Sequence, residues 1–272
     1  RYVRCRYLDG PLRELQRLAG TIIEPSSLRL DRVILAVALA GGLALVAADV
    51  FQRWIAPEHI WALDIDGRFN AVTWFHSFVL AGAALAALGL ASTYRDSGQR
   101  LMWLLAGGAM AFLSLDKSIS LHERVGESIE QRFDLPEQAG RVIWEAVYAP
   151  FLIALVILLI IAVGRASTPA RLWVGFGIAL CAGKVALEAL MFPAIHLELF
   201  DETSVLYGIE VNIEESVQLL GFAAFFGAFA QLLLDRISLM AQGRLESADA
   251  EAVERPLLDF PRLTKREWPK AV

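Results

Sequence analysis

The chain has 272 residues, 56% of them hydrophobic and 20% charged, with a formal net charge of −5 and a mean hydropathy of +0.50. A soluble domain is closer to half apolar and a quarter charged, so an ordinary soluble enzyme, a disordered chain and a disulfide-rich secreted domain are excluded. The acidic balance, with no basic cluster carrying interleaved aromatics, also excludes nucleic acid as a partner.

Residues 1–32 carry Arg1, Arg4, Arg6, Arg13, Arg17, Arg29 and Arg32, with Leu12, Leu15, Leu18 and Ile22 at helical spacing between them. This pattern predicts a basic amphipathic helix on the cytoplasmic leaflet, although a solvated start fits the same composition. The sequence opens on Arg1 rather than Met, so Arg1 is not read as the native start, and nothing before Val33 has the pattern of a cleaved signal peptide.

Six apolar runs of about 20 residues follow, the length that crosses a hydrocarbon core of roughly 30 Å. They are Val33–Val50, Ala71–Ala91, Leu101–Leu121, Ile143–Val163, Leu172–Phe192 and Val211–Leu234. The third and sixth contain charges, so four spans with two interfacial segments is the competing count. Residues 236–272 are mostly polar, contain Pro256, Pro261 and Pro269, and read as a cytoplasmic tail. The predicted fold is therefore all-α: a polytopic bundle of six transmembrane helices at 33–235.

Basic residues orient this bundle. Seven lie before Val33 and seven after Leu234, with Arg95, Arg100, Arg165 and Arg171 in the loops on the same side. The opposite side holds only Arg53, Arg68, Lys117, Arg124, Arg132 and Arg141. Both termini are expected in the cytoplasm, and the expected location is a bacterial inner membrane. Trp54, Trp74, Tyr94, Trp103, Trp144 and Trp173 fall near span ends, where amphipathic rings sit at the lipid interface. Cys5 lies in the N-terminal segment and Cys181 mid-way along an apolar run, so no bridge between them is expected, and there is no CxxC motif.

With that topology the cytoplasmic half of each span is apolar apart from Cys181 and Gln231, and the charges collect in the outer halves. These are Asp49, His76, Asp116, Lys117, Glu145, Lys184, Glu188, Glu214, Glu215 and the neutral Gln218. A charge at mid-membrane costs about 2.5–3.5 kcal/mol on insertion scales, so such groups are normally paired or face a cavity. Asp116, Ser120, Glu123 and Glu127 follow an i, i+4, i+7, i+11 pattern, which predicts one polar helix face continuing to about Asp134, before Leu135-Pro136 ends the helix. Lys184 and Glu188 are an i, i+4 ion pair.

Two chemistries suit these residues. Asp116, His122, Glu123, Glu188, Glu215 and His76, with His196 as a further imidazole, offer the carboxylate and imidazole donors that a divalent cation takes from facing helices. Alternatively Asp49, Lys117, Glu145, Lys184, Glu214 and Gln218 tie the same acids into an ion-pair and ligand-binding network. A lone membrane histidine such as His76 more often bonds a neighbouring helix than ligates haem or a pigment.

The expected function is an outward-facing site that binds or processes a lipid or periplasmic ligand. The rival readings are a non-catalytic subunit contacting other membrane subunits, and a transporter. Apolar cytoplasmic halves disfavour transport, because an ion path needs polar groups at successive depths.

The segments FLSLDKSISLHERVG (Phe112–Gly126) and IEESVQLLG (Ile213–Gly221) resemble an uncharacterised group of bacterial multi-pass membrane proteins with an LDE…HE motif after the third span and an EE pair opening the last. The resemblance runs from about Ala71 to Leu234, with Lys117 standing where that pattern has Glu. A fainter likeness is to ceramidase-type membrane hydrolases, in which Ser, His and Asp surround zinc. His76 and Asp116 are similar to that set, but Glu214-Glu215 stand where those enzymes need a His pair.

Overall fold

The computed structural model describes residues 29–55, 60–64, 70–135, 139–164, 166–196 and 205–241. The side chains at 53–54, 61, 139–142, 191–196 and 241 lie outside that description, as do the predicted N-terminal helix through Ile22 and nearly all of the predicted tail. Seven α-helices are present among the described residues: α1 Leu30–Trp54, α2 Ala71–Thr93, α3 Ser97–Ile119, α4 Leu121–Phe133, α5 Ala139–Val163, α6 Thr168–His196 and α7 Val205–Ala241. A 3-10 turn, Trp61–Leu63, sits between α1 and α2. Residues Glu24–Asp235 form one packing unit; of the second, Arg1–Ile23 with Arg236–Val272, only the last turns of α7 are described.

Long apolar runs make these helices, and polar caps start two of them. The Asn70 side chain accepts from the Thr73 N–H at 2.7 Å, and Asp96 accepts from the Gln99 N–H at 2.7 Å. Each such cap contributes about 1 kcal/mol by occupying an otherwise orphaned donor. Five helices are long and apolar enough to cross a membrane, and α3 with α4 makes a sixth crossing if that bent pair is one broken span. The chain has the build of a multi-pass helical membrane protein. Exposed Val37, Leu43, Phe78, Leu85, Ile153 and Leu172 supply the lipid-facing surface that such a protein needs.

The helices are not equivalent. The apolar windows of α2 and α7 are 56% and 61% buried, against 17%, 22% and 17% for α1, α5 and α6. The first pair is therefore the bundle's interior and the other three its lipid-facing wall. Small residues permit this: Leu80, Ala83, Ala87 and Leu90 of α2 and Ala223, Ala228 and Phe229 of α7 are almost completely buried. Gly177 on α6 shows how close the approach is, since a Cβ there would lie 2.8 Å from the Phe225 ring and 3.0 Å from the Gly221 carbonyl oxygen of α7. With no water in the hydrocarbon core to drive helices together, such van der Waals contact is a main source of their association.

Two expectations are corrected. Trp103 is not an interface residue; it is fully buried, edge-on to Phe229 with ring centroids 5.2 Å apart, because the alanine-rich face of α2 leaves room for an indole. The third helix does not run straight to Asp134. It stops at Ile119, and α4 leaves at 63°. Ser120 at the corner has φ 50° and ψ 46°, the left-handed region, so Asp116, Ser120, Glu123 and Glu127 do not share one face. Asp116 stabilises the corner by accepting the His122 N–H at 2.9 Å, which caps the new helix.

A left-handed non-glycine residue costs about 1–2 kcal/mol. Replacing Ser120 by Gly should therefore raise unfolding stability by up to about 1 kcal/mol, whereas a β-branched S120V should lower it by more than about 1 kcal/mol. Denaturant unfolding of the two variants in the same micelle measures both; equal stabilities would show that the corner is not strained.

Candidate functional site

The predicted site residues gather where α1 ends, α2, α5 and α7 begin, α3 meets α4, and α6 passes its midpoint. They form connected groups rather than one. In the first, Lys184 on α6 bonds Glu188 one turn on and reaches Glu214 Oε1 of α7 at 3.1 Å. Its ammonium also lies 5.0 Å from the centroid of the Trp144 ring. The Trp144 indole N–H donates to Glu188 Oε1 at 3.2 Å. Lys184 is a buried cation with two carboxylates and an aromatic face around it, the compensation that makes such burial tolerable.

In the second group, Lys117 Nζ holds both oxygens of Glu215, at 3.1 and 3.2 Å. Glu215 Oε2 also lies 3.2 Å from Nδ1 of His76. His76 is completely buried and edge-on to Phe222, and neither ring nitrogen makes a hydrogen bond. Beside it, Ser118 Oγ lies 2.9 Å from Ser77 Oγ, and Ser114 Oγ donates to the Ser77 carbonyl at 2.8 Å. This serine seam fastens α3 to α2.

The third group sits at the bend. Asp116 Oδ1 accepts from the His122 N–H at 2.9 Å and from the Tyr148 hydroxyl at 2.9 Å, and Asp116 Oδ2 meets His122 Nδ1 at 2.7 Å. The His122 ring packs edge-on against Trp144 at 4.7 Å, which joins this group to the first. His122 Nε2 lies 3.8 Å from Glu123 Oε1, outside hydrogen-bond range.

Of the other predicted residues, Asp49 is completely buried and accepts from Asn212 Nδ2 at 3.0 Å, linking α1 to α7. Glu145 Oε1 and Gln218 Oε1 are buried oxygens without a hydrogen-bond partner. The His196 side chain lies outside the described residues.

This arrangement bears on the metal expectation. Among the described residues no group of three or more His, Cys, Asp or Glu side chains is arranged to hold a metal ion. The six named donors are divided instead: Glu188 and Glu215 face lysines, His76 faces Glu215, His122 faces Asp116, and Glu123 lies 3.8 Å from His122 Nε2. At Glu188 and Glu215 an ammonium occupies the edge that a cation would need.

Residues 36–232 match the family described as a domain of unknown function (DUF8692). The chain belongs to this family. No curated protein matches it, and no solved structure does. All three groups, together with Asp49, lie within the matched region.

Sequence reasoning missed Tyr148, Trp144 as a site residue, and the serine seam. Tyr148 had a signal, a phenol within the Ile143–Val163 apolar run, where a hydroxyl needs a partner. It also missed a second polar group at the other end of the bundle, around Asp31. That carboxylate is 2% exposed, bound by Arg29 at 2.8 Å and by the Trp173 indole N–H at 2.9 Å. A span drawn from Val33 leaves Asp31 outside the membrane, whereas α1 begins at Leu30.

Proposed function

We propose that the protein crosses the membrane six times, with the α3–α4 pair as one broken span and both termini cytoplasmic, and that the three groups form a site reached from the outer face. There the protein binds or processes a lipid or periplasmic ligand through His122. The observation that carries this reading is the Asp116–His122 contact of 2.7 Å. A carboxylate on Nδ1 fixes the imidazole and leaves Nε2 to exchange a proton with a bound ligand, the arrangement used by general acid–base histidines. Tyr148 and the Trp144 ring hold the pair in place. The lysine-paired carboxylates make a metal-dependent mechanism the weaker version. Asp116, His122 and the Glu214-Glu215 pair, on which the resemblance to the bacterial group rests, then have distinct tasks: orienting, proton exchange and lysine pairing.

Diethyl pyrocarbonate, which acylates an unprotonated imidazole nitrogen, tests the reading in oriented vesicles. His122 is expected to be modified in right-side-out spheroplasts, with the completely buried His76 as the protected internal reference. Modification of His122 only in inverted vesicles would refute an outward site, and no modification in either would refute a free Nε2.

A further inference from the structure

At the opposite end of the bundle, the starts of α1 and α6 and residues 228–235 of α7 line a cavity of about 300 Å³. That is the lower end of the roughly 300–1,000 Å³ of small-molecule sites. Its polar lining is Arg29, Asp31, Ser167, Trp173, Gln231 and Asp235, and the rest is apolar.

Part of this lining is internally satisfied. Asp31 takes Arg29 Nε at 3.1 Å, Arg29 Nη2 at 2.8 Å and the Trp173 indole N–H at 2.9 Å. Gln231 accepts the Leu30 N–H at 2.8 Å and donates to Asp235 Oδ1 at 2.8 Å. Asp31 and Gln231 are thus a fixed polar floor with little capacity left for a ligand. What remains is the outer edge of the Arg29 guanidinium, on a side chain 44% exposed, the Ser167 hydroxyl, and the second oxygen of Asp235. Arg29 and Asp235 feel each other's charge, yet among the described residues no ion pair closes between them.

Because Asp31 neutralises Arg29, the cavity has an excess of one carboxylate beside a guanidinium that still has N–H groups to give. A matching ligand carries an ammonium with hydrogens to donate and an anion near it. The cavity also lies where the apolar windows of α1 and α6 begin, at Leu30 and Thr168, which is the headgroup level of a bilayer.

We infer that this cavity binds a phosphoethanolamine-type zwitterion, its ammonium on Asp235 and its phosphate on Arg29 and Ser167, presented as a lipid headgroup or as a free compound. A guanidinium edge suits phosphate oxygens, and a primary ammonium donates to a carboxylate where a trimethylammonium has no hydrogen to give.

The test uses the full chain in an uncharged detergent, titrated with short-chain phosphatidylethanolamine, phosphatidylcholine and phosphatidylglycerol and with O-phosphoethanolamine, read by native mass spectrometry. One saturable adduct is expected with the ethanolamine lipid, about tenfold tighter than with the other two lipids. D235N, which leaves the Asp31 pair intact, is expected to weaken it by about tenfold, with the melting temperature unchanged; R29Q should also weaken binding, but it unpairs the buried Asp31 and lowers the melting temperature. Equal binding of O-phosphoethanolamine would assign the site to a soluble zwitterion, and binding of the acylated form alone would assign it to lipid. Equal affinity for all three headgroups, or wild-type binding by D235N, overturns the inference.

Discussion

Replacing Lys184 by Met is expected to destabilise the protein by about 3–5 kcal/mol, the cost of leaving buried carboxylates without their cation. Both Glu188 and Glu214 depend on this one ammonium, which is buried among helices α5, α6 and α7. In lipid the penalty has no relief from water, so K184M should unfold at a far lower denaturant concentration or fail to accumulate in the membrane. The triple variant K184M/E188Q/E214Q separates charge compensation from packing, because it removes the uncompensated anions together with their partner. It should recover most of the lost stability. If the triple variant is as unstable as K184M, Lys184 acts through its packing against Trp144 rather than through its charge.

The second large effect is at Asp116. Its carboxylate takes three donors from two further elements, the His122 N–H, His122 Nδ1 and the Tyr148 hydroxyl. Hydrogen bonds to a charged group contribute about 1.5–3 kcal/mol each, and Asn keeps one acceptor oxygen while placing an amide donor where the other was. D116N is therefore expected to lose about 2–3 kcal/mol in unfolding stability and to release the imidazole from its fixed orientation. Tyr148→Phe removes a single neutral donor and should cost about 1 kcal/mol, leaving His122 held. The contrast between the two variants isolates the orienting role, since a merely structural Asp116 would be mimicked in part by Y148F.

The long helices were legible because hydrocarbon thickness and an α-helical rise demand runs of this length, and the sequence contains them. The gathering of charge at one end was legible for a related reason: intramembrane charge is costly, so it appears only where it is compensated. The Lys184–Glu188 pair was legible from its i, i+4 spacing on one helix, whereas the pairings between helices were not. The acidic spacing from Asp116 to Glu127 continues smoothly across Ser120, and serine is not a helix breaker, so periodicity gave no sign of a 63° corner. The corner depends on a side chain, Asp116, turning back to cap the following helix, which is a tertiary choice that spacing does not encode. Likewise an indole near a span end has the same sequence signature whether it faces lipid, as the exposed Trp74 does, or fills the interior, as Trp103 does. Asp31 was hidden because hydropathy begins the span at the first apolar residue, whereas the helix begins a turn earlier and buries the acid against Trp173.

The oriented imidazole at the α3–α4 corner is most directly tested by proton–nitrogen NMR of the histidines in the intact protein, a tractable problem with only four of them. The expected result is a His122 Nδ1 proton shifted far downfield by its bond to Asp116, lost in D116N and retained in Glu123→Gln. A His122 ring without that proton, or one whose resonance survives unchanged in D116N, would contradict it.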